Sequence, residues 1–308
     1  MTRILVWILA ATSALSSPPA PEGAPPRAWS PLPSSPPSWE RGLPTPGPMA
    51  AEAADVRHYR FALTLTDESD EIFGEAEITV RFLDGGIDTL TLDLVGLDPE
   101  TGTGMVVEEV TEETRPLGHR HAGNRLVLAL GSPPASGEER SFRVVYRGVP
   151  ADGLIIGTNL FGDRTFFGDN WPERARHWLP TVDHPSDKAT VDWVITAPEH
   201  YDVVGNGRLV ERSALEDGTV RTHWATDVPI PTKVMVIGAA RFAVDTLAVV
   251  DGIPVEAWVY PQNREAGFHD FALAERALRF FLDGVGPFPY AKLANVQSKT
   301  RYGGMENA

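Results

Sequence analysis

From Tyr59 onward, apolar side chains recur at every second position, and that period sets what the chain can become. Tyr59, Phe61, Leu63 and Leu65 alternate with polar or small neighbours. Ile72 to Phe82 resumes the alternation after the acidic turn Asp67-Glu68-Ser69-Asp70. Successive side chains of a strand point to opposite faces, so each run buries one face and wets the other. Two such runs across a short polar turn predict a hairpin. Thr89 to Leu94, Met105 to Val110, Arg125 to Leu130 and Ser141 to Tyr146 extend the series, separated by turn formers such as Asp84-Gly85-Gly86 and Gly131-Ser132-Pro133-Pro134. Short strands at this spacing predict an antiparallel β domain, open or sandwich-like. Lys188 to Ala197, Tyr201 to Val210 and Val234 to Ala239 continue it, with Asp217-Gly218 as a hairpin turn.

Near residue 245 the pattern becomes mixed. Ile253 to Val259 reads as another strand. Asn263 then stands where it can cap a helix running to about Asp283, because Phe268, Phe271, Ala274, Leu278 and Phe281 recur at three- and four-residue steps and form one apolar stripe. Gly284 and Gly286-Pro287 end it. The fold expected is therefore mainly β, with the opening of an α/β region behind it.

The first fifty residues are of another kind. Arg3, the apolar run Ile4 to Ala11 and the small residues Ala14, Ser16 and Ser17 have the layout of a secretory signal peptide over residues 1–17, and the run is too short for a comfortable membrane anchor. Residues 18–50 hold twelve of the 27 prolines between Pro18 and Pro48. Proline lacks the backbone donor that helix and sheet need, so this stretch reads as an extended tether. Export to a periplasmic or extracellular space follows as the expected location. The formal charge of -15 excludes a nucleic-acid partner, which requires a positive footprint. It suits cationic ligands, although solubility alone also accounts for it. With no Cys, thiolate metal sites and disulfides are excluded.

Two segments can carry chemistry. Between Phe166 and Asp192, charged Asp169, Arg174, Arg176, Asp183, Asp187 and Lys188 are interleaved with Trp171 and Trp178, and Trp193 follows directly. Rings exclude water around such charges, so Arg176 and Asp183 are expected as a buried ion pair bracing β layers. The second segment is Tyr302 to Asn307, YGGMEN. Its glycines let another backbone approach, and Glu306 behind them can hold a cationic amine; a Gly-Gly turn with a surface glutamate is the plainer alternative. No His is followed by Glu, so an HExxH zinc helix is absent from the sequence. His119 and His121 share a face if they lie on a strand, but no third metal ligand of fitting spacing accompanies them.

Four places together resemble the aminopeptidase N family of gluzincin metallopeptidases, which includes leukotriene hydrolase. Ala175-Arg176-His177-Trp178-Leu179-Pro180, with Asp183-His184-Pro185 and Lys188-Ala189-Thr190, resembles the family's AR…P…D.P..KA signature. Pro229 to Phe242 resembles the segment that closes its first domain. Gly286-Pro287-Phe288-Pro289-Tyr290-Ala291-Lys292 resembles its G.PYP..K stretch, and Gly303-Gly304-Met305-Glu306-Asn307 its GxMEN exopeptidase motif. Order and spacing agree over about residues 55 to 308.

The resemblance implies a saddle-like N-terminal antiparallel β domain over 51–243, then the start of a thermolysin-like α/β catalytic domain over 244–308. It implies peptide substrates with a free N-terminus and no stable membrane span. Gly303, Gly304 and Met305 would lie along the substrate, Glu306 would bind its α-amino group, and Asn307 would brace the strand. Zinc would be the cofactor, with ligands after Ala308 rather than within this chain, so the chain alone is expected to be inactive. One departure stands out. Seven and five residues before Arg176, where the family often places Gln or Glu, this chain has Asp169 and Trp171; Asp169 could serve as a second amine anchor and Trp171 could not. Two other classes compete. One is a non-catalytic peptide-binding or scaffold relative. The other is an unrelated β-sandwich binder, which requires Trp171 and Trp178 exposed as a platform.

Overall fold

The computed structural model describes residues 54–299 and 304–308. The signal-peptide and tether readings, and Gly303 of the GxMEN motif, lie outside the described residues.

The expected hairpin forms. Strands Ala54–Thr64 and Ile72–Phe82 pair antiparallel, with Phe61 opposite Ala76. Their alternating burial follows the period-two pattern: Tyr59, Phe61, Leu63, Ile72, Ile78, Val80 and Phe82 are buried, and the polar residues between them face outward. The hairpin is the centre of a nine-stranded sheet. On one side Glu139–Val149, Gly104–Glu112 and the short Arg115–Pro116 extend it; on the other come Lys188–Pro198, Thr219–Ala225 and Arg208–Ala214. Most pairs are antiparallel, but Ala54–Thr64 runs parallel to Lys188–Pro198, with His58 opposite Thr190. Parallel neighbours need a long connection, and the intervening residues 65–187 supply it.

Two smaller sheets complete the β region. One pairs Thr89–Asp93, Arg125–Ala129 and His119–Ala122; the other orders Asp202–Gly205, Ile237–Ala240, Arg164–Gly168 and Leu154–Thr158. One continuous apolar core joins all three sheets, with Trp178 stacked on Trp193 at 5.7 Å and Phe61 against the same ring at 5.2 Å.

The stretch Tyr201 to Val210 is not the single strand its composition predicts. Gly205-Asn206-Gly207 turns the chain, so Asp202–Gly205 and Arg208–Ala214 enter different sheets. Gly207 requires its residue type, since its φ is +82 and a Cβ would sit 1.9 Å from the Ala225 carbonyl oxygen. Val234 to Ala239 likewise starts as a 3-10 turn, Thr232–Val234, before the strand Ile237–Ala240.

The mixed region takes the expected form. Strands Ala243–Val250 and Ile253–Val259 pair antiparallel, and Leu293–Val296 adds parallel to the second. The helical segment is the crossover between those parallel strands, a β-α-β arrangement. It comprises α1 (Arg264–Phe271) and α2 (Leu273–Gly284), separated at Ala272. Phe271, Ala274 and Leu278 are buried, while Phe268 and Phe281 are half-buried. Gly267 lets the helix close on the strand below, because a Cβ there would meet Val259 at 2.6 Å. Asn263 makes no capping hydrogen bond. It does occupy the N-cap position of α1, with φ -108 and ψ 12, directly after the 3-10 turn that Pro261 opens.

Candidate functional site

The charged and Trp-rich segment spans the gap from strand Arg164–Gly168 to strand Lys188–Pro198. Thr181 pairs with Asp93 in a β-bridge, which pins the segment's middle to the small sheet. Asp183, almost fully buried, accepts hydrogen bonds from Arg176 Nε at 3.0 Å, the Arg176 amide at 3.2 Å and Thr232 Oγ1 at 2.8 Å. Its own amide donates to Asp93 Oδ2 at 3.0 Å, and Arg176 also reaches Glu173 at 3.3 Å. Burial raises the Asp183 carboxyl, Arg176 and Thr232 lower it, and it stays above its ordinary value. The expected brace is therefore present: Arg176 and Asp183 tie the AR…D.P segment to the Thr232 segment that closes the β region.

Trp178 is fully buried and donates its indole N–H to Asn170 at 2.8 Å, while Asn170 donates to the carbonyls of Thr232 and Met235. Trp171, by contrast, is 55% exposed. A Trp171–Trp178 binding platform is thereby excluded, because one of its two rings is core. Asp169, expected as a second amine anchor, is enclosed instead: it is 0% exposed and pairs with Arg174 Nη2 at 2.7 Å. A carboxylate already matched by a buried guanidinium inside the fold is not open to a substrate amine.

Gly304 and Met305 are half-buried, Glu306 and Asn307 are exposed, and Ala308 packs against the main core. The Ala308 carbonyl accepts a hydrogen bond from Asn206 Nδ2 at 2.5 Å. The described structure therefore keeps Glu306 exposed, whereas Asp169 is enclosed.

Two contributors here were not singled out from the sequence. Lys292, of the G.PYP..K stretch, donates to the carbonyls of Gly205 at 2.6 Å and Gly207 at 2.5 Å, with its ammonium 4.3 Å from the centre of the Trp224 ring. Burial lowers this lysine to about 8, against an opposing pull from Glu256. Asn206, between those glycines, is the other. The signal for Asn206 was the Gly-Asn-Gly sequence, a turn marker inside what reads as a strand, and that for Lys292 the G.PYP..K stretch, which names the residue but not its partners.

No metal centre forms among the described residues: no three His, Asp or Glu side chains gather as ligands. His119 and His121 do lie on one strand, but His121 Nε2 is at 3.0 Å from the Leu94 carbonyl oxygen and is occupied by it. The described residues do not fit a zinc ion.

The family profile of the Peptidase M1 N-terminal domain matches residues 56–234, more than half the chain. The chain belongs to this family. Glutamyl aminopeptidase of Mus musculus is 24% identical over 115 residues, 37% of this chain and 12% of that protein; the Bos taurus protein is 25% identical over 118 residues, 38% and 12%. The crystal structure of an M1 zinc metallopeptidase from Deinococcus radiodurans superposes with a TM-score of 0.67 at 21% identity, covering 81% of this chain and 57% of that one. A mutant of that protein bound to the substrate Tyr-Ser-Ala gives 0.66 at 20%, covering 82% and 58%. The M1 fold thus extends past the family-profile match into the α/β region. This chain spans somewhat over half of those structures and a small part of the curated relatives.

Proposed function

We propose that this chain is the N-terminal β domain and the opening of the catalytic domain of a zinc-dependent aminopeptidase, with the boundary near residue 243. Membership of the M1 N-terminal family carries the reading, and the likeness to an M1 zinc metallopeptidase across the α/β region supports it. In the proposed enzyme the 303–307 segment lies beside a peptide. Gly303 and Gly304 offer backbone groups, Met305 lines the contact, Asn307 braces the strand, and Glu306 takes the α-amino group in a charge-assisted hydrogen bond. Glu306 is exposed in this chain, as an amine anchor and the surface glutamate of a Gly-Gly turn would both be. Asp169, enclosed and paired with Arg174, is left out of the proposed amine site. Zinc would be held by residues other than those described here and would polarise the scissile carbonyl and activate water.

Export is part of the proposal: residues 1–17 act as a signal peptide and 18–50 as a tether. No described helix is long and apolar enough to cross a membrane. N-terminal sequencing of the secreted product tests this, with a start shortly after Ser17 expected and a retained Met1 counting against it. The catalytic reading is tested by assaying the gene product that carries this chain on aminoacyl-4-nitroanilides. Hydrolysis abolished by a zinc chelator is expected. Chelator-insensitive hydrolysis, or none at all, would favour a non-catalytic relative. The 308 residues alone should release no nitroaniline with zinc supplied.

A further inference from the structure

We infer that the Gly205-Asn206-Gly207 turn positions the GxMEN segment, with Asn206 as the positioning residue that sets where Glu306 stands. The inference rests on the aminopeptidase reading for its functional consequence and on geometry for the rest.

Asn206 is 3% exposed, and its side-chain amide is fully engaged. The oxygen accepts from Trp193 Nε1 at 3.2 Å and from the Val236 amide at 2.7 Å; the nitrogen donates to the carbonyls of Val234 at 2.9 Å and Ala308 at 2.5 Å. A primary amide has two donors and two acceptor sites, and all four are used. The orientation of the group is thereby fixed, since a flip would set its oxygen against two carbonyl oxygens and its nitrogen against two donors. Three of the four partners belong to the β region and one to the end of the GxMEN segment. Asn206 is therefore a rigid post anchored in the β domain with one hydrogen bond left for position 308.

The same turn holds the chain a second time. The carbonyls on either side of Asn206, those of Gly205 and Gly207, receive the Lys292 ammonium. Strand Leu293–Val296 starts at the next residue, and Gln297 is tied by its amide to the Trp258 carbonyl at 2.8 Å. Lys292 and Ala308 are thus both tied to three consecutive residues of one turn. Glu306 lies two residues from the second tether, so its reach is set by Asn206 rather than by contacts of its own. Asn206 acts on Glu306 through the backbone at position 308, which makes it a positioning residue and not a catalytic one.

Asn206→Asp tests this, because it keeps the shape and both acceptor functions but removes the donors to Ala308 and to Val234. Two readouts are needed. The first is backbone {1H}-15N NOE of the 308-residue chain, where residues 304–307 should lose their order in the variant while strand Lys188–Pro198 keeps its own. Unchanged order at 304–307 overturns the inference, whatever the enzyme does. The second is inhibition of the gene product by a free amino acid and by its N-acetyl form. The inhibition constant of the free form should rise about tenfold, with the N-acetyl form moving less than about threefold. Equal shifts, the mark of a merely structural role, overturn the link to amine binding. If Asn206→Asp does not fold, Asn206→Ser, with a hydroxyl too short to reach all four partners, is read the same way. Should the gene product hydrolyse nothing, the aminopeptidase reading fails alone, and the NOE comparison still decides the clamp.

Discussion

Replacing Asp187 by Asn should stabilise the fold at neutral and alkaline pH and leave it nearly unchanged in acid. Asp187 stands just before strand Lys188–Pro198, is 7% exposed, and neither carboxylate oxygen has a hydrogen-bond partner of good geometry. Burial pushes its carboxyl from 3.8 up to about 7; the Val56 amide and Arg57 pull it down, and Asp55 pushes it further up. Below pH 3.8 the folded and unfolded chains both carry the proton, so the group contributes nothing. Between pH 3.8 and 7 the unfolded chain has released it and the folded chain has not, and stability falls by ~1.4 kcal/mol per pH unit. Above 7 the loss is complete. A gap of about three pH units makes it about 4 kcal/mol, an upper value because Asn must also be accommodated without a full set of partners. Urea denaturation of both proteins from pH 4 to 8 measures the difference directly. The two midpoints should converge near pH 4 and separate as pH rises, with the variant the more stable. A constant difference across that range, or a variant less stable at pH 8, refutes the assignment of a buried, under-solvated carboxyl.

Other perturbations probe the brace and the core. Arg176→Ala leaves Asp183 buried without its cation and should destabilise by about 3 kcal/mol, the low end for a broken buried pair because the arginine keeps some solvent contact. That loss should grow from pH 4 to pH 8, since Asp183, already held above its ordinary value by burial, is raised further once Arg176 is gone; a pH-independent loss by urea titration speaks against the pair. Trp178→Ala removes a fully buried ring stacked on Trp193 and strands Asn170 Oδ1, so a loss of about 3–5 kcal/mol is expected. If the loss measured by chemical denaturation stays below 1 kcal/mol, Trp178 is a surface ring and the excluded platform returns.

Much of the β architecture was legible because burial on one face imprints a period of two on the sequence. Tyr59-Phe61-Leu63 and Ile72 to Phe82 show it, and their hairpin formed in the register the alternation demands. The helix behind strand Ile253–Val259 was legible through the stripe of Phe271, Ala274 and Leu278, but strand Leu293–Val296, which completes the β-α-β unit, was not. The parallel pairing of Ala54–Thr64 with Lys188–Pro198 was not, because no local pattern encodes a partner more than a hundred residues away. Tyr201 to Val210 looked like one strand because its apolar residues outweigh a three-residue turn in any window average. The Arg176–Asp183 pair was readable from charges set among tryptophans. The enclosure of Asp169 was not, since the choice between lining a cleft and meeting Arg174 is made by tertiary packing. Asn206 escaped for the same reason: Gly-Asn-Gly marks a turn, but the four hydrogen bonds reach three separate stretches of chain that no local pattern names.

The claim on which the account turns is that Glu306 grips a free amino terminus. Glu306→Ala in the gene product, with inhibition constants compared for an amino acid and its N-acetyl derivative, tests it most directly. A carboxylate that pairs with a desolvated ammonium is worth about 2–4 kcal/mol, so the free amino acid should bind roughly 30- to 900-fold more weakly while the N-acetyl form hardly changes. An exposed surface pair is worth less than about 1 kcal/mol. A loss that small, or one shared equally by both ligands, would contradict the amine-anchor role and leave Glu306 a solvated side chain.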